Sequence, residues 1–389
     1  MIRTRLAMWA TAVSFAVPTL YNPSHVGAQP AGVPAAGAAT AGAQTALPAT
    51  ITASPNADKT PEREIVQKYV QEQVEKLKAE DSAARTSARD ALISRVGGGG
   101  GATTAHPVFI DFFSGEINTE IKKALADPKL ETRLNAAIVV ARIAPSDKAA
   151  KLSEAAVVAL GDQQAPVVLW GMKAAAQLLP NALTVQPKNN PLLAKISEVG
   201  LARAGTTTVV EAYDALTLTS ESTDSTLLRD RIKEAEWKKL VPLLLPELNK
   251  LWAARLDLYA TGKIAEPMAE VIPAVFISQQ RSWSALTPEQ QAATMQMLHD
   301  QLSLAGELAS AGLPEKAAYT RVVQRTASAI QVIAQQENNK ALGDAASAAV
   351  KVQENTPGPA IGAATTQVLA AIKAAPKFAA TKPPPKVKN

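Results

Sequence analysis

The sequence contains no cysteine, few histidines and few aromatic residues. Among its 389 residues there are three histidines, His25, His106 and His299, and aromatic side chains make up 4%. The absence of cysteine excludes disulfide bonds, thiolate metal sites and cysteine nucleophiles. Three scattered histidines leave little material for a histidine metal site or a catalytic triad. The composition therefore excludes cysteine chemistry and argues against histidine-rich metal sites and triads.

Catalytic and cofactor-binding motifs are also missing from the sequence. It has no His-Glu-x-x-His, no Gly-x-Ser-x-Gly, no dinucleotide fingerprint and no calcium-binding loop. His299 and Asp300 are neighbours on a predicted helix, and adjacent helical residues do not share a face. We therefore interpret His299 as a structural histidine. We expect a protein that is not an enzyme, with no catalytic residue, no metal site and no cofactor.

The apolar content of the chain is mostly small and aliphatic. Hydrophobic residues make up 47% of the sequence, and nearly a fifth of all residues are alanine. Alanine is the strongest helix former and is depleted in strands. The composition therefore predicts an all-α fold.

The N-terminus has the organisation of a secretory signal peptide. The first five residues are basic, residues 6–21 are apolar and uncharged, and Val26 and Ala28 provide small side chains before a cleavage point. The apolar run contains a proline and is shorter than the ~20 residues that span a bilayer. We expect residues 1–28 to direct export to the periplasm or beyond, in a bacterial envelope, with no stable membrane span after cleavage. An uncleaved anchor is the alternative.

Three segments of different composition follow the signal peptide. Residues 29–59 are rich in Ala, Pro, Gly and Thr and are predicted to be a disordered leader. Residues 60–96 are predicted to form one amphipathic helix. Residues 97–105 contain five consecutive glycines and are predicted to be a linker at a domain boundary.

The amphipathic helix carries one narrow apolar stripe. The stripe consists of Val66, Val70, Val74 and Leu77, spaced three or four residues apart. Such a stripe can pair with a partner helix in a coiled coil, or it can fold back onto its own domain. Self-association through residues 62–95 is therefore one expectation to test.

Internal similarity is the most informative feature of the sequence. Residues 125–144 and 160–179 align at an offset of 35 residues, and a weaker third copy covers residues 192–218. The matched pairs include Leu125 with Leu160, Asp127 with Asp162, Leu134 with Leu169, and Ala136 with Gly171. Each unit is predicted to be a helical hairpin whose turn is centred on the aspartate. The aspartate side chain can accept hydrogen bonds from backbone N–H groups at the start of the second helix.

The first copy resembles a HEAT repeat, or the HEAT-like repeat of phycobilisome lyases. Asp127 and Pro128 occupy the Asp-Pro turn of that family, and Arg133 occupies its second-helix arginine. The second copy keeps Asp162 but lacks the proline and the arginine. The resemblance covers residues 116–218. It implies an α-superhelix of stacked hairpins over residues 106–222, used for binding other macromolecules.

The C-terminal part is helical without an obvious repeat. Residues 223–375 are predicted to form either further hairpins that continue the superhelix or a separate helical bundle. Thr287, Pro288 and Gln290 have the spacing of a capping box and predict a helix start. Residues 376–389 are rich in proline and lysine and are predicted to be a disordered tail.

Binding residues can be ranked from the implied superhelix, in which second helices line the concave face. Trp170, Arg133 and Lys173 are the candidates for partner contact, and Trp170 is the best anchor because aromatic residues dominate interface energies. The alternative for Trp170 is a core position between repeats. We expect the cluster Phe109, Phe112 and Phe113 to cap the first repeat, and Trp237 and Trp252 to lie in the core.

The charge distribution does not favour a nucleic-acid partner. The formal net charge is +5, but five lysines without any acidic residue follow position 372. The remaining chain is close to neutral, so we expect no nucleic-acid binding. The sequence thus predicts an exported, non-enzymatic scaffold or adaptor with protein partners of unknown identity. The alternative is a structural protein that assembles as a coiled coil through residues 62–95.

Overall fold

The computed structural model describes residues 47–96, 105–219, 227–261, 276–277, 280–311 and 315–382. The predicted signal peptide at 1–28, residues 29–46 of the leader and most of the glycine linker lie outside these residues. The described residues form helices and no strand, which confirms the all-α prediction. None of these helices combines the length and the apolar character needed to cross a membrane.

The N-terminal part of the fold consists of four helical hairpins. After a single turn at Ala49–Thr52 (α1), the hairpins are α2 and α3 (Glu62–Lys76, Ser82–Ile93), α4 and α5 (Pro107–Leu125, Leu130–Ile143), α6 and α7 (Ser153–Leu160, Ala165–Val185), and α8 and α9 (Pro191–Ala202, Thr208–Thr217). The first helices α2, α4, α6 and α8 pack against one another in chain order, and so do the second helices α3, α5, α7 and α9. The hairpins therefore form two helical layers.

Small side chains line the contact between the two helices of a hairpin. A Cβ atom on Gly171 of α7 would lie 2.9 Å from the Leu160 backbone nitrogen and 3.0 Å from the Ala159 Cβ. A Cβ on Gly200 of α8 would lie 3.1 Å from the Ala212 Cβ of α9. The helices of these two hairpins therefore approach more closely than larger side chains would allow.

The predicted single helix over residues 60–96 is a hairpin. Its chain turns between α2 and α3, where the Asp81 carboxylate caps α3 by accepting from the Ala83 and Ala84 backbone N–H groups, both at 3.1 Å. Arg85 holds the turn by donating to the Ala79 and Glu80 carbonyl oxygens. An N-cap in the middle of the segment ends one helix and starts another.

The helices on the two sides of the glycine run belong to one packed body. Helix α2 packs against α4, and α3 packs against α5, so packing continues across the expected domain boundary. The apolar stripe Val66, Val70, Val74 and Leu77 is buried within the chain. The structure therefore favours the folded-back arrangement of this stripe.

The end of the predicted leader is ordered rather than disordered. Leu47, Ile51 and Ala57 are buried, and the Thr52 carbonyl oxygen accepts from the His106 N–H at 2.8 Å. These apolar side chains cover the beginning of the hairpin array. The expectation of disorder does not hold for residues 47–59, because they contribute side chains to the core.

The C-terminal part begins with α10 (Leu228–Arg231), the long helix α11 (Glu234–Ala260) and α12 (Gln280–Trp283). The next four helices are α13 (Pro288–Ser310), α14 (Lys316–Gln336), α15 (Lys340–Val350) and α16 (Gly358–Ala374). Each of α13 to α16 packs against two others in a closed cycle, α13 with α14, α14 with α15, α15 with α16 and α16 with α13. Of the two arrangements left open by the sequence, this cycle of contacts favours a helical bundle for residues 288–374.

Helix α11 connects the hairpins to the bundle. It packs against α8 and α9 on one side and against α13 on the other. Its Arg255 is 1% exposed and donates to the Ala204 carbonyl oxygen at 2.7 Å and to the Tyr259 hydroxyl at 3.0 Å. Trp237 and Trp252 are fully buried, as predicted.

The first residues of the predicted disordered tail are packed on the bundle. The Phe378 ring is buried and lies edge-on to Trp283, with 6.1 Å between ring centroids. The Lys377 Nζ donates to Glu337 Oε1 at 2.6 Å, and the backbone N–H of Lys382 donates to Gln296 Oε1 at 2.7 Å. The prediction of disorder is therefore wrong for residues 376–382, and residues 383–389 lie outside the described residues.

The helix contact at Gly171 predicts an unusual response to alanine. In Gly171→Ala the new Cβ would overlap the backbone of α6, so the variant should lose about 1–3 kcal/mol of unfolding free energy despite its higher helix propensity. Gly115→Ala is the matched control, since a Cβ at this helical glycine meets no atom within 4 Å. The control should be about 0.5–1 kcal/mol more stable than the wild type. Urea unfolding measures both, and equal effects would contradict the close approach.

Candidate functional site

The predicted aspartate turns are present in two hairpins. Asp127 Oδ1 accepts from the Lys129 backbone N–H at 2.9 Å, and Asp162 Oδ1 accepts from the Gln164 backbone N–H at 2.7 Å. Each donor belongs to the residue immediately before the second helix, so the carboxylate closes the turn and does not cap α5 or α7. The structure confirms the aspartate-centred turns, but the predicted hydrogen bonds to backbone N–H groups at the start of the second helix are absent.

Arg133 connects these two turns. Its Nη1 donates to the Asp127 and Pro128 carbonyl oxygens at 3.0 and 2.9 Å, and its Nε donates to Asp162 Oδ2 at 2.7 Å. The side chains of the ion pair are 17% and 8% exposed. We had expected Arg133 on a partner-binding surface, but its guanidinium is bound within the chain. We therefore assign Arg133 to the turns and remove it from the candidate binding residues.

Similar links run along this edge of the hairpin array. Lys129 forms an ion pair with Glu80 of the first hairpin, and the hydrogen bond from Lys129 lowers the pKa of the Glu80 carboxyl. The Arg203 Nη2 donates to the Gln163 carbonyl oxygen at 3.4 Å. Each turn is thereby linked to the next one in chain order.

Trp170 lies on the layer of second helices, with two cations over its ring. Its side chain is half-buried, and the structure places the Arg142 Cζ 5.5 Å and the Lys173 Nζ 5.2 Å from the ring centroid. Arg142 comes from α5, whereas Trp170 and Lys173 come from α7. Both cations are exposed to solvent. A cation over an indole face contributes ~0.5–1 kcal/mol at such exposed sites.

Two carboxylates of α9 extend this surface. Burial raises the pKa of Glu211, while the positive charge of Lys173 opposes that rise and Asp214 adds to it. Burial also raises the pKa of Asp214, although its carboxylate accepts from the Thr219 hydroxyl at 2.7 Å. We call the surface formed by Arg142, Trp170, Lys173, Glu211 and Asp214 the Trp170 face.

The structure brings together two of the three predicted binding residues, Trp170 and Lys173. Sequence reasoning missed Arg142 and the two carboxylates. The sequence contained a signal for Arg142. At the offset of 35, Asn135 is equivalent to Trp170 and Ile138 to Lys173, and Arg142 follows them at the spacing of one helical face. Glu211 is equivalent to Trp170 at the offset of 41 that relates the third copy.

The remaining candidate residues have structural roles. Phe109 and Phe113 are buried and stacked at 5.1 Å, and Phe112 is half-buried beneath Arg63. His299 is 1% exposed, which agrees with a core histidine. Although adjacent residues do not share a helical face, the His299 Nδ1 lies 3.1 Å from Asp300 Oδ1. Their side chains bend towards each other although the residues are adjacent.

No group of three or more metal-ligating side chains occurs within the described residues. A scan against protein-family models and a search of curated proteins find no match to this chain. The assignment of a function therefore depends on the geometry of the Trp170 face.

The link between turns predicts strong coupling between Arg133 and Asp162. A double-mutant cycle of Arg133→Gln and Asp162→Asn should give a coupling free energy of about 1–3 kcal/mol, because the pair is mostly shielded from water. Asparagine keeps an acceptor for the Gln164 N–H. The same cycle on the exposed pair Lys340 and Asp344 should give about 0.3–0.5 kcal/mol. Urea unfolding measures both cycles, and similar values would show that the Arg133 link contributes no more than a surface pair.

The raised pKa of Glu211 predicts a pH-dependent gain of stability in Glu211→Gln. A carboxyl whose pKa is raised by folding binds more protons in the native state, so its contribution to stability falls as pH rises through that pKa. The variant should be more stable than the wild type at pH 7, and the difference should fade as the pH falls to about 4. Glu154→Gln should instead be slightly less stable than the wild type at pH 7, since the hydrogen bond from Lys122 lowers the pKa of this exposed carboxyl. Stability of both variants between pH 4 and 8 tests the assignment.

Proposed function

We propose that the four hairpins form a HEAT-like α-solenoid. The support is the two-layer stacking of α2 to α9 in chain order, together with the contacts between successive turns. A single hairpin of this kind cannot bury its apolar face alone, so neighbouring hairpins have to cover it. Solenoids of stacked hairpins offer an extended surface made of one helical layer, and this use fits the second-helix layer of this chain.

We further propose that the protein is a non-enzymatic scaffold or adaptor that binds a protein partner at the Trp170 face. The carrying observation is the half-buried Trp170 with the exposed Arg142 and Lys173 over its ring. Tryptophan and arginine are the residues most enriched at binding hot spots, and packing around an anchor excludes water. The equivalent positions Asn135 and Glu211 are different in character, so the fold does not require a tryptophan there.

The proposed location is the bacterial envelope, either periplasmic or extracellular. This rests on the basic, apolar and small-residue order of the first 28 residues. The proposal includes no cofactor and no nucleic acid. The alternative of assembly through residues 62–95 has little support, because Val66, Val70, Val74 and Leu77 already pack inside the chain.

A photo-crosslinking experiment tests the proposed binding face. We replace Ile138, which is half-buried on α5 near the face, with p-benzoylphenylalanine, in full-length protein expressed in bacterial cells. Irradiation should give a discrete adduct in the envelope fraction, and the adduct should decrease at least about tenfold in Trp170→Ala, as expected when a hot-spot residue is removed.

The control carries the crosslinker at Val158, an exposed residue of α6 on the other helical layer. It should not give the same adduct. Equal adducts at both positions, or an adduct at position 138 that is unaffected by Trp170→Ala, would contradict a specific partner at the Trp170 face.

A further inference from the structure

We propose that the Trp170 face binds an acidic peptide segment with an apolar side chain next to its carboxylate. This inference rests on the proposed function and specifies the class of partner. It follows from three properties of the face, which are two exposed cations with no carboxylate within ion-pair distance, an indole beneath both of them and a pair of acids on the neighbouring helix.

Arg142 and Lys173 are among the basic residues of the hairpins that form no ion pair, unlike several others. Lys122, Arg133 and Lys195 each have a carboxylate within 3 Å. No carboxylate lies within ion-pair distance of Arg142 or Lys173 in the described residues, and both cations lie over the same indole. Glu211 offsets part of the Lys173 charge, whereas the exposed Arg142 is available to an anion that approaches from solvent. A carboxylate beside either cation would accept a charge-assisted hydrogen bond from it.

The indole adds an apolar contact beside this anion site. Trp170 is only half-buried, so part of its ring can be covered by a ligand side chain. The two cations are held over the ring by cation–π contacts, which reduces the entropy lost when a ligand binds. A residue with a large aliphatic or aromatic side chain next to an acidic residue fits both features.

The acids of α9 make a polyanion a poor ligand. Glu211 and Asp214 belong to the helix that packs next to α7, and helices in contact are separated by about 8–10 Å. A nucleic-acid strand with one phosphate per nucleotide would place negative charge near both carboxylates. A peptide can carry its acid over α5 and α7 and a basic or neutral residue about three positions further, since an extended residue spans about 3.3 Å.

Selection from a random peptide library displayed on phage tests this inference with the full-length protein. Peptides captured by the wild type should be enriched in Asp or Glu beside a large apolar residue. A fluorescein-labelled consensus peptide should bind Arg142→Gln/Lys173→Gln at least tenfold more weakly than the wild type, and added salt should weaken its binding to the wild type. Lys340→Gln/Lys351→Gln is the matched control, because it removes the same charge from the bundle and should leave affinity unchanged.

Charge reversal provides a second readout that loss of folding cannot imitate. Arg142→Glu/Lys173→Glu should capture peptides enriched in Lys or Arg, and its urea unfolding should show that it is folded. Peptides that depend on Trp170 but are not acidic would overturn this inference and leave the proposed function in place. Binding of a mixed-sequence single-stranded oligonucleotide that is lost in Trp170→Ala would also overturn it. A selection with no peptide dependent on Trp170, combined with no adduct at position 138, would overturn both proposals.

Discussion

The close approach of alanine-rich helices is the constraint on which the fold depends. An alanine side chain buries little apolar area, so a helix rich in alanine gains stability only when its neighbours come near enough for dispersion contacts along the backbone. Two hairpins meet this requirement with a pair of small residues twelve positions apart, Ala159 with Gly171 and Gly200 with Ala212. In each pair one residue is glycine, which allows the closest contact. Because its side chains are small, a single hairpin buries too little apolar area to be stable alone. The hairpins therefore stack, which produces the two layers of α2 to α9.

Much of this architecture could be predicted from the sequence because the spacing of the pattern is regular. The offset of 35 residues relates the second and third hairpins, and the helices of the fourth were recognised at an offset of 41. The first hairpin was missed because the glycine run lengthens the offset to 48 residues. At that offset Leu77 matches Leu125, Arg85 matches Arg133, Ala88 matches Ala136 and Leu92 matches Val140. Arg85 donates to the carbonyls of its turn as Arg133 does, so the first hairpin is equivalent to the second. The glycine run between them hides this equivalence in the sequence.

Other parts of the fold could not be predicted, because residues far away in the sequence provide the hydrogen bonds and packing that a local segment lacks. Pro246 has no N–H to donate to the Pro242 carbonyl four residues earlier, and such a defect normally ends or kinks a helix. Helix α11 nevertheless continues through both prolines, and the Gln290 Nε2 donates to the Pro242 carbonyl at 2.8 Å. The same glutamine completes the capping box with Thr287, so one side chain serves two helices. The tail is a similar case, since Phe378 gains its partner Trp283 only once the bundle has formed.

Packing constrains the residues of the Trp170 face less than it constrains the residues of the core. Asn135, Trp170 and Glu211 occupy equivalent positions of α5, α7 and α9, yet they are an amide, an indole and a carboxylate. These three positions are only half-buried, so packing does not determine their chemistry as it does at the buried positions between helices. Arg133 was misjudged for the opposite reason: arginine is common at binding surfaces, but this one lies at a turn, where carbonyls and an aspartate engage it. A cation without a carboxylate partner, beside a half-buried indole, is therefore a better guide to a binding site in this repeat than residue type alone.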